Sequence, residues 1–232
     1  MPLEEPRHPM NESPVNPLPP VVVALFLVLA GVELVFNLGA RGLVGGPGAI
    51  GWRIAAIQNY AFSGEIFDWM RETGRWMPEH LFRFLSYSFI HGSFSHALFG
   101  FVILLAMGKI VGEALGSIGV VVIFFGSAIC GALAYAVLLD DPRPLMGAFP
   151  ANYGLIGGFT YFLWLRLGQA GEAQIRAFSL IGFLLLVQLL FGVFFGGGND
   201  WVADLAGFVS GFLLTILLVP GSFAAFLNRI RR

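Results

Sequence analysis

Long apolar runs separated by short polar segments make up most of the chain after residue 20. Each run is close to the roughly 20 apolar residues that a helix needs to cross a hydrocarbon core. The pattern therefore predicts an all-α fold, a polytopic membrane bundle of six transmembrane helices. The predicted spans are 21–38, 81–107, 119–139, 151–167, 177–195 and 201–219.

The segments outside these runs have a different composition. Residues 1–20 are rich in proline and mixed charge, so we predict a disordered cytosolic tail there. Residues 40–80 alternate aromatic and charged side chains, a pattern typical of amphipathic segments that lie in the membrane interface. The membrane domain is expected over 21–222, with a basic cytosolic tail at 223–232.

Overall composition supports a membrane protein and excludes other classes. Hydrophobic residues are 57% of the 232 residues, charged residues are 12%, and mean hydropathy is +0.80, unlike an ordinary soluble domain. The net charge is -1 and no basic stripe is present, so we expect the lipid bilayer, and no nucleic acid, as a partner. The single Cys130 excludes an intrachain disulfide.

Basic residues predict the orientation of the six spans. One side of the membrane would carry most of the lysine and arginine of the short loops and tails, which is typical of a cytoplasmic face. These residues are Arg7, Lys109, Arg166, Arg176, Arg229, Arg231 and Arg232, against Arg143 in the short loops opposite. Both termini are therefore expected in the cytoplasm, although the arginines of the long 40–80 loop oppose this assignment. The compact six-span form leads us to expect a bacterial inner membrane.

Ionisable residues inside apolar runs are candidate functional positions. A charge at membrane depth is costly and usually faces a bundle interior or a water-filled cavity. Asp204 lies one turn into the last run, and His91 and His96 lie in the second. We therefore predict a buried polar centre. Glu33, in the first run, is interpreted as neutral or hydrogen-bonded to a neighbouring helix, with no assigned role.

Glycines spaced four residues apart predict which helices approach most closely. This spacing lets two helix backbones touch. The pairs are Gly154 with Gly158 and Gly207 with Gly211. We expect the fourth and sixth spans to pack against each other, which would bring Asp204 near Phe149 and Asn152.

Four segments in order resemble the rhomboid intramembrane serine proteases, over residues 82–211. Phe82 and Arg83 are similar to the family's Trp-Arg pair, and His91-Gly-Ser-Phe-Ser-His96 is similar to its paired histidines. Residues 147–157 resemble the segment that carries the family's Gly-x-Ser-Gly nucleophile, and residues 204–211 resemble the sixth helix, whose His-x-x-Gly-x-x-x-Gly supplies the base. The resemblance implies a rhomboid-like fold.

The chemistry that the resemblance implies is degenerate. Position by position, the nucleophilic serine falls on Phe149, the histidine base on Asp204 and the oxyanion asparagine on Gly100, so only His96 is kept. Phenylalanine offers no nucleophile, and Pro150, in place of the following glycine, has no backbone N–H. The supporting positions are His91, Asn152 and Tyr153. The resemblance therefore implies a pseudoprotease that holds single-span transmembrane clients without cutting them.

A gate for such clients is expected at the outer end of the fifth span, at Phe191, Phe194 and Phe195. The alternative is an active serine endopeptidase with an unrecognised nucleophile. His96 and Asp204 either hydrogen-bond each other or water as a structural remnant, or act in recognition.

We expect no cofactor and no metal. An aspartyl mechanism needs two carboxylates that share a proton, and Asp204 has no evident intramembrane partner. His91 and His96 are five residues apart, about 140° around a helix, so they would not chelate one ion. A transporter would need more intramembrane charge and an internal repeat.

Overall fold

The computed structural model describes residues 17–195, 197–219 and 221, without the side chains of residues 191, 193 and 195. Residues 1–16 of the predicted N-terminal tail and all of the predicted C-terminal tail, 223–232, lie outside the described residues. Within the described ranges the elements are helical, apart from one isolated antiparallel bridge between Phe62 and Leu145. The all-α prediction is confirmed.

The helices in chain order are α1 Pro20–Ala40, α2 Trp52–Tyr60, α3 Gly64–Thr73, α4 Pro78–Leu81, α5 Arg83–Ser86, α6 Phe94–Leu138, α7 Phe149–Gln169, α8 Ser179–Phe195 and α9 Trp201–Leu218. Shorter 3-10 turns occupy Pro47–Gly51, Tyr87–Phe89 and Gln174–Phe178. Of the described helices, α1, α6 and α9 are long and apolar enough to cross a membrane. The chain is an integral membrane protein.

The predicted start of the second span, at residue 81, is wrong. Residues before the long helix form the short helices α4 and α5 and a 3-10 turn, and α6 begins only at Phe94. Polar side chains explain the difference, because Arg83 and Ser86 donate to the carbonyls of Ala61 and Tyr60, at 3.1 and 2.8 Å. These bonds attach the segment to the preceding loop.

Helix α6 is a hairpin of two arms that meet at Gly116. This glycine has a φ of +70°, in the left-handed region that other residues rarely adopt, and it interrupts the helical backbone. Val111 from the first arm and Ile123 from the second both lie about 3.5 Å from where a Cβ at Gly158 would stand. Because both arms pass the same point of α7, they run side by side in opposite directions.

Helix α7 lies at the centre of the bundle and touches α9 backbone to backbone. A Cβ at Gly211 would collide with the carbonyl of Gly154, and one at Gly157 would collide with the carbonyl of Phe208. Such approach requires glycine, since any side chain would separate the helices. The predicted packing of residues 151–167 against residues 201–219 is confirmed.

Helix α8 packs mainly through its N-terminal half. Ile181 is buried against Tyr153, Ile156 and Phe208, whereas the opposite face of α8 is exposed. The exposed residues are Phe183, Leu186, Leu189, Leu190 and Phe194. An apolar face of this kind suits contact with lipid or with another transmembrane helix.

The predicted amphipathic loop, 40–80, contains α2 and α3. Helix α3 starts at a serine cap, where Ser63 Oγ accepts the N–H of Ile66, and buries Phe67 and Met70. Its other face carries charge, including an exposed pair between Arg71 and Asp68. The prediction of amphipathic segments is confirmed for α3.

Candidate functional site

A cavity of about 500 Å³ lies between the first arm of α6, the start of α7, the middle of α8 and the start of α9. Four predicted site residues line it together: His96, Phe149, Tyr153 and Asp204. The other lining residues are Phe99, Ile103, Leu145, Met146, Pro150, Leu184, Val187, Gln188 and Asp200. The packing of α7 on α9 thus brings Asp204 and Phe149 to one cavity, as predicted.

Phe149, the first residue of α7, covers His96. The two rings stack with centroids 4.8 Å apart and an angle of 16° between their planes. Among the described residues that line the cavity, none is serine, threonine or cysteine. The hydroxyls of Ser93 and Ser95 lie within 3.1 Å of each other, and Ser93 Oγ also accepts the backbone N–H of His96 as the cap of α6.

Asp204 is bound by Gln188 and not by His96. The Gln188 Nε2 amide donates to Asp204 Oδ2 at 2.7 Å, and the hydroxyl of Tyr153 lies 3.4 Å from Gln188 Oε1. Asp204 is 1% exposed, and its Oδ1 has no hydrogen-bond partner among the described residues. The hypothesis that His96 and Asp204 bond each other is therefore wrong, because Gln188 binds Asp204 Oδ2 and Phe149 covers the imidazole.

Asn152 turns away from the cavity. Its Nδ2 donates to the carbonyl of Gly100 at 2.9 Å, which joins α7 to the first arm of α6. A Cβ at Gly100 would lie 3.3 Å from His91 Nε2 and 3.8 Å from the Phe149 ring. Gly100 and Asn152 thus lie directly behind the stacked rings without lining the cavity.

His91 holds the start of α7 in place. Its Nε2 accepts the backbone N–H of Ala148 at 3.2 Å, and the side chain is 1% exposed. Burial, followed by the nearby His96 and Arg53, lowers the pKa of His91 to about 3. The neutral imidazole is therefore the form that accepts this bond.

The geometric premise used to exclude a two-histidine metal site is wrong. His91 precedes α6, so the two residues are not 140° apart on one helix; their rings meet edge to face with centroids 5.4 Å apart. Within the described ranges, no group of three His, Cys, Asp or Glu side chains has an arrangement suited to a metal ion.

An ion pair joins Glu33 of α1 to Arg53 of α2, and Arg53 also binds the segment just before α6. Both Arg53 guanidinium nitrogens Nη1 and Nη2 donate to the Glu33 carboxylate, at 2.9 and 2.7 Å, and Nη1 also donates to the carbonyl of His91 at 2.6 Å. Asn37 adds a bond to Glu33 Oε1. Glu33 is therefore hydrogen-bonded to a neighbouring helix, as interpreted, and the donor is an arginine that the sequence did not single out.

A second polar cluster lies at the mouth of the cavity. Arg143 and Asn199 both donate to the Asp141 carboxylate, at 3.0 and 2.8 Å, and so join the loop after α6 to the loop before α9. Hydrogen bonds from Arg143 lower the pKa of Asp141 to about 2. The two loops are held together by a charge that persists at any neutral or mildly acidic pH.

The predicted gate lies at the C-terminal end of α8. The side chain of Phe194 is 73% exposed, so it faces outward from the bundle. The side chains of Phe191 and Phe195 lie outside the described residues. Only one of the three gate positions therefore has a described side chain.

The rhomboid domain model matches residues 78–221. The chain belongs to the rhomboid family. The matched range contains every helix that lines the cavity, so the cavity is a feature of the rhomboid domain of this chain.

Three rhomboid relatives are similar to this chain. Rhomboid-like protease 1 of Toxoplasma gondii is 28% identical over 137 residues, 59% of this chain and 47% of the relative. RHOMBOID-like protein 4 of Arabidopsis thaliana is 26% identical over 147 residues, 63% of this chain and 36% of the relative. The chain spans about half or less of the length of these two.

A bacterial relative covers more of the sequence. The Bacillus subtilis (strain 168) protein named "Putative rhomboid protease YdcA" is 23% identical over 201 residues, 86% of this chain and 89% of the relative. The similarity to this relative thus extends beyond residues 78–221.

Gln188 is the site residue that the sequence interpretation missed. It is an amide in the middle of the otherwise apolar α8. A polar side chain in such a run must find a hydrogen-bond partner, since an unpaired amide in hydrocarbon is costly. This signal identifies Gln188 as the partner of a buried group on another helix.

Proposed function

We propose that this rhomboid family member binds the transmembrane helices of single-span client proteins and does not cleave them. The observation that carries the proposal is the stack of Phe149 on His96 at the wall of the cavity. In the family pattern the nucleophilic serine falls on position 149, and here a phenyl ring occupies that position. Proteolysis of the serine type requires a serine, threonine or cysteine nucleophile beside a base, and the described cavity wall holds none of these residues.

The base position supports the same conclusion. Asp204 takes the place of the family's histidine, and its Oδ2 is already bound by Gln188. A general base must lie within hydrogen-bond reach of the proton that it abstracts. The alternative, an active serine endopeptidase, would require a nucleophile outside this cavity. Ser93 and Ser95 do not favour it, because their hydroxyls bond each other and Ser93 Oγ also caps α6.

The open side of the cavity supports lateral entry of a client. Phe99, on the first arm of α6, lines the cavity although its side chain is 68% exposed. Leu184 and Val187, on the facing side of α8, line the same space. The cavity thus reaches the lipid-facing surface between α8 and that arm.

We further propose six spans: α1, the two arms of α6, α7, α8 and α9. Arg166 lies with Glu113 and Ile110 around one groove, at the end of the bundle that contains the α6 turn. Arg143 lies at the opposite end, beside the cavity mouth. The basic end is proposed as cytoplasmic, with both termini there, in a bacterial inner membrane.

Proteolysis is tested with purified protein in lipid vesicles. A single-span substrate that active rhomboids cut should stay intact, and a fluorophosphonate probe should leave the protein unlabelled. An active rhomboid serves as the positive control. Specific cleavage or covalent labelling would overturn the proposal and support the endopeptidase alternative.

Client binding is tested with a photoreactive amino acid at Phe149. Irradiation in native membranes should capture intact single-span proteins. The matched control is the same amino acid at Val137, which is 61% exposed on the second arm of α6 and does not line the cavity. Equal capture from both positions would contradict selective binding at the cavity.

Orientation is tested with single cysteines in a Cys130→Ala background. A membrane-impermeant maleimide added to intact cells should label a cysteine at Arg143 and should label one at Arg166 only after lysis. The reverse pattern would place the cavity mouth on the cytoplasmic side.

A further inference from the structure

We infer that the clients are transmembrane helices that carry a lysine near the membrane face where the cavity opens, and that the lysine ammonium binds Asp204. This inference rests on the proposed client-binding function and defines the chemical class of the client. It is carried by an acceptor inside the cavity that the described chain does not satisfy.

Asp204 provides that acceptor. The residue is 1% exposed and lines the cavity, Oδ2 accepts from Gln188, and Oδ1 accepts from no described group. Buried polar atoms in folded proteins are nearly always hydrogen-bonded. An unpartnered carboxylate oxygen on a residue that lines a cavity therefore points to a donor that arrives with a ligand.

Charge around the cavity selects a cation. The described residues that line it include two carboxylates, Asp204 and Asp200, and neither lysine nor arginine. Arg143, beside the mouth of the cavity, is already paired with Asp141 at 3.0 Å. Ionisable groups at membrane depth pair with one another, since an uncompensated buried charge is strongly destabilising.

Geometry favours lysine over arginine. Arginine binds a carboxylate best through two parallel bonds, which need both oxygens. Because Gln188 binds Oδ2, the oxygen left without a described partner is the buried Oδ1, and a single oxygen suits the compact ammonium of lysine. The aromatic faces of Phe149 and Phe99 line the same cavity and would favour a nearby cation.

Asp204 also sets the depth of the lysine. It lies in the first turn of α9, so its carboxylate is close to the membrane face where that helix begins. A client lysine one to two turns inside the same face would reach it, and its aliphatic stem would contact the apolar wall formed by Leu184 and Val187.

The inference is tested with synthetic leucine-alanine single-span peptides in vesicles, with a photoreactive amino acid at Phe99. One peptide carries a lysine one to two turns from its outer end; the others carry leucine or arginine there. The lysine peptide should be captured about tenfold more than the leucine peptide, equivalent to about 1.4 kcal/mol. Asp204→Asn should remove the preference, and Asp140→Asn, an exposed carboxylate outside the cavity, should keep it.

A second variant keeps the inference testable if Asp204→Asn fails to fold. Gln188→Leu frees Oδ2, so capture of the arginine peptide should rise relative to the lysine peptide. Equal capture of the lysine and leucine peptides by the unaltered protein, or no change in the arginine-to-lysine ratio in Gln188→Leu, would overturn the inference. In both cases capture of the leucine peptide would leave client binding supported, whereas capture of no peptide would overturn client binding as well.

Discussion

The phenyl ring of Phe149 lies parallel to the imidazole of His96, with centroids 4.8 Å apart and an interplanar angle of 16°. The stack joins the first residue of α7 to the first turn of α6 and limits access to the imidazole from the cavity. It gives the wall an apolar surface at the position where a serine protease of this family would need a hydroxyl.

Removal of the Phe149 ring is expected to expose His96. In Phe149→Ala, modification of His96 by diethyl pyrocarbonate should rise several-fold, measured by mass spectrometry of the peptides. His91 should stay protected, because it is buried and its Nε2 is occupied by Ala148. The loss of the ring pair should also lower stability, by about 0.5–1.5 kcal/mol beyond the loss of buried area.

The control for this experiment is Phe183→Ala, which removes an exposed ring from the outer face of α8. It should leave the modification of His96 unchanged. If both variants increase it equally, general loosening of the bundle, and not loss of the stack, explains the result.

Close contact between α7 and α9 makes Gly211 intolerant of a side chain. The Cβ of Gly211→Ala would collide with the Gly154 backbone, which cannot move aside as a flexible side chain can. Overpacking of this kind costs about 1–3 kcal/mol. Thermal unfolding in detergent should show this loss.

Gly182→Ala provides the matched control in α8, since no atom lies within 4 Å of the added Cβ. Alanine is about 1 kcal/mol better than glycine in a helix, so this variant should be neutral or slightly more stable. Similar losses in Gly182→Ala and Gly211→Ala would contradict the proposed collision.

The sequence predicted the contact between α7 and α9 because glycines four residues apart allow two helix backbones to approach each other closely. The same reasoning could not predict the Phe149–His96 stack, which depends on the α6 hairpin and on the direction of two side chains from different helices. Gln188 was missed for a different reason: the partner of Asp204 was sought among ionisable groups, and an amide binds Asp204 Oδ2 instead. The start of α6 was predicted too early because Arg83 and Ser86 bond to the carbonyls of Ala61 and Tyr60, 22 and 26 residues earlier in the chain. Sequence spacing does not predict contacts over such a separation.

The Glu33–Arg53 pair is expected to be essential for stability. The Glu33 side chain is 3% exposed, so Arg53→Met would leave a buried carboxylate with Asn37 as its one side-chain donor among the described residues. Breaking one half of a buried pair costs about 3–5 kcal/mol. The double variant Glu33→Leu with Arg53→Met should recover most of this loss, because it removes both charges.

Arg176 and Glu172 form an exposed ion pair, so Arg176→Met is the control for the effect of replacing an arginine by methionine. Arg176→Met should change stability by no more than about 0.5 kcal/mol, since exposed pairs contribute little. Equal effects of Arg53→Met and Arg176→Met on thermal unfolding would show that burial of the first pair is unimportant.

Stability should fall as pH decreases from neutral, because His91 is held neutral. Its folded pKa is about 3, whereas an unfolded histidine titrates near 6.5. Between these values the unfolded chain binds the extra proton, so acid favours unfolding, and the free energy of unfolding falls by up to about 1.4 kcal/mol per pH unit.

The test uses His91→Gln, whose side chain does not titrate. This variant should flatten the dependence of the free energy of unfolding on pH between about pH 6 and 4, measured by chemical unfolding in detergent. Asp141, whose pKa is lowered to about 2, loses its contribution only below about pH 4 and does not interfere. Identical slopes for the two proteins would show that the imidazole of His91 can be protonated without disturbing its bond to Ala148.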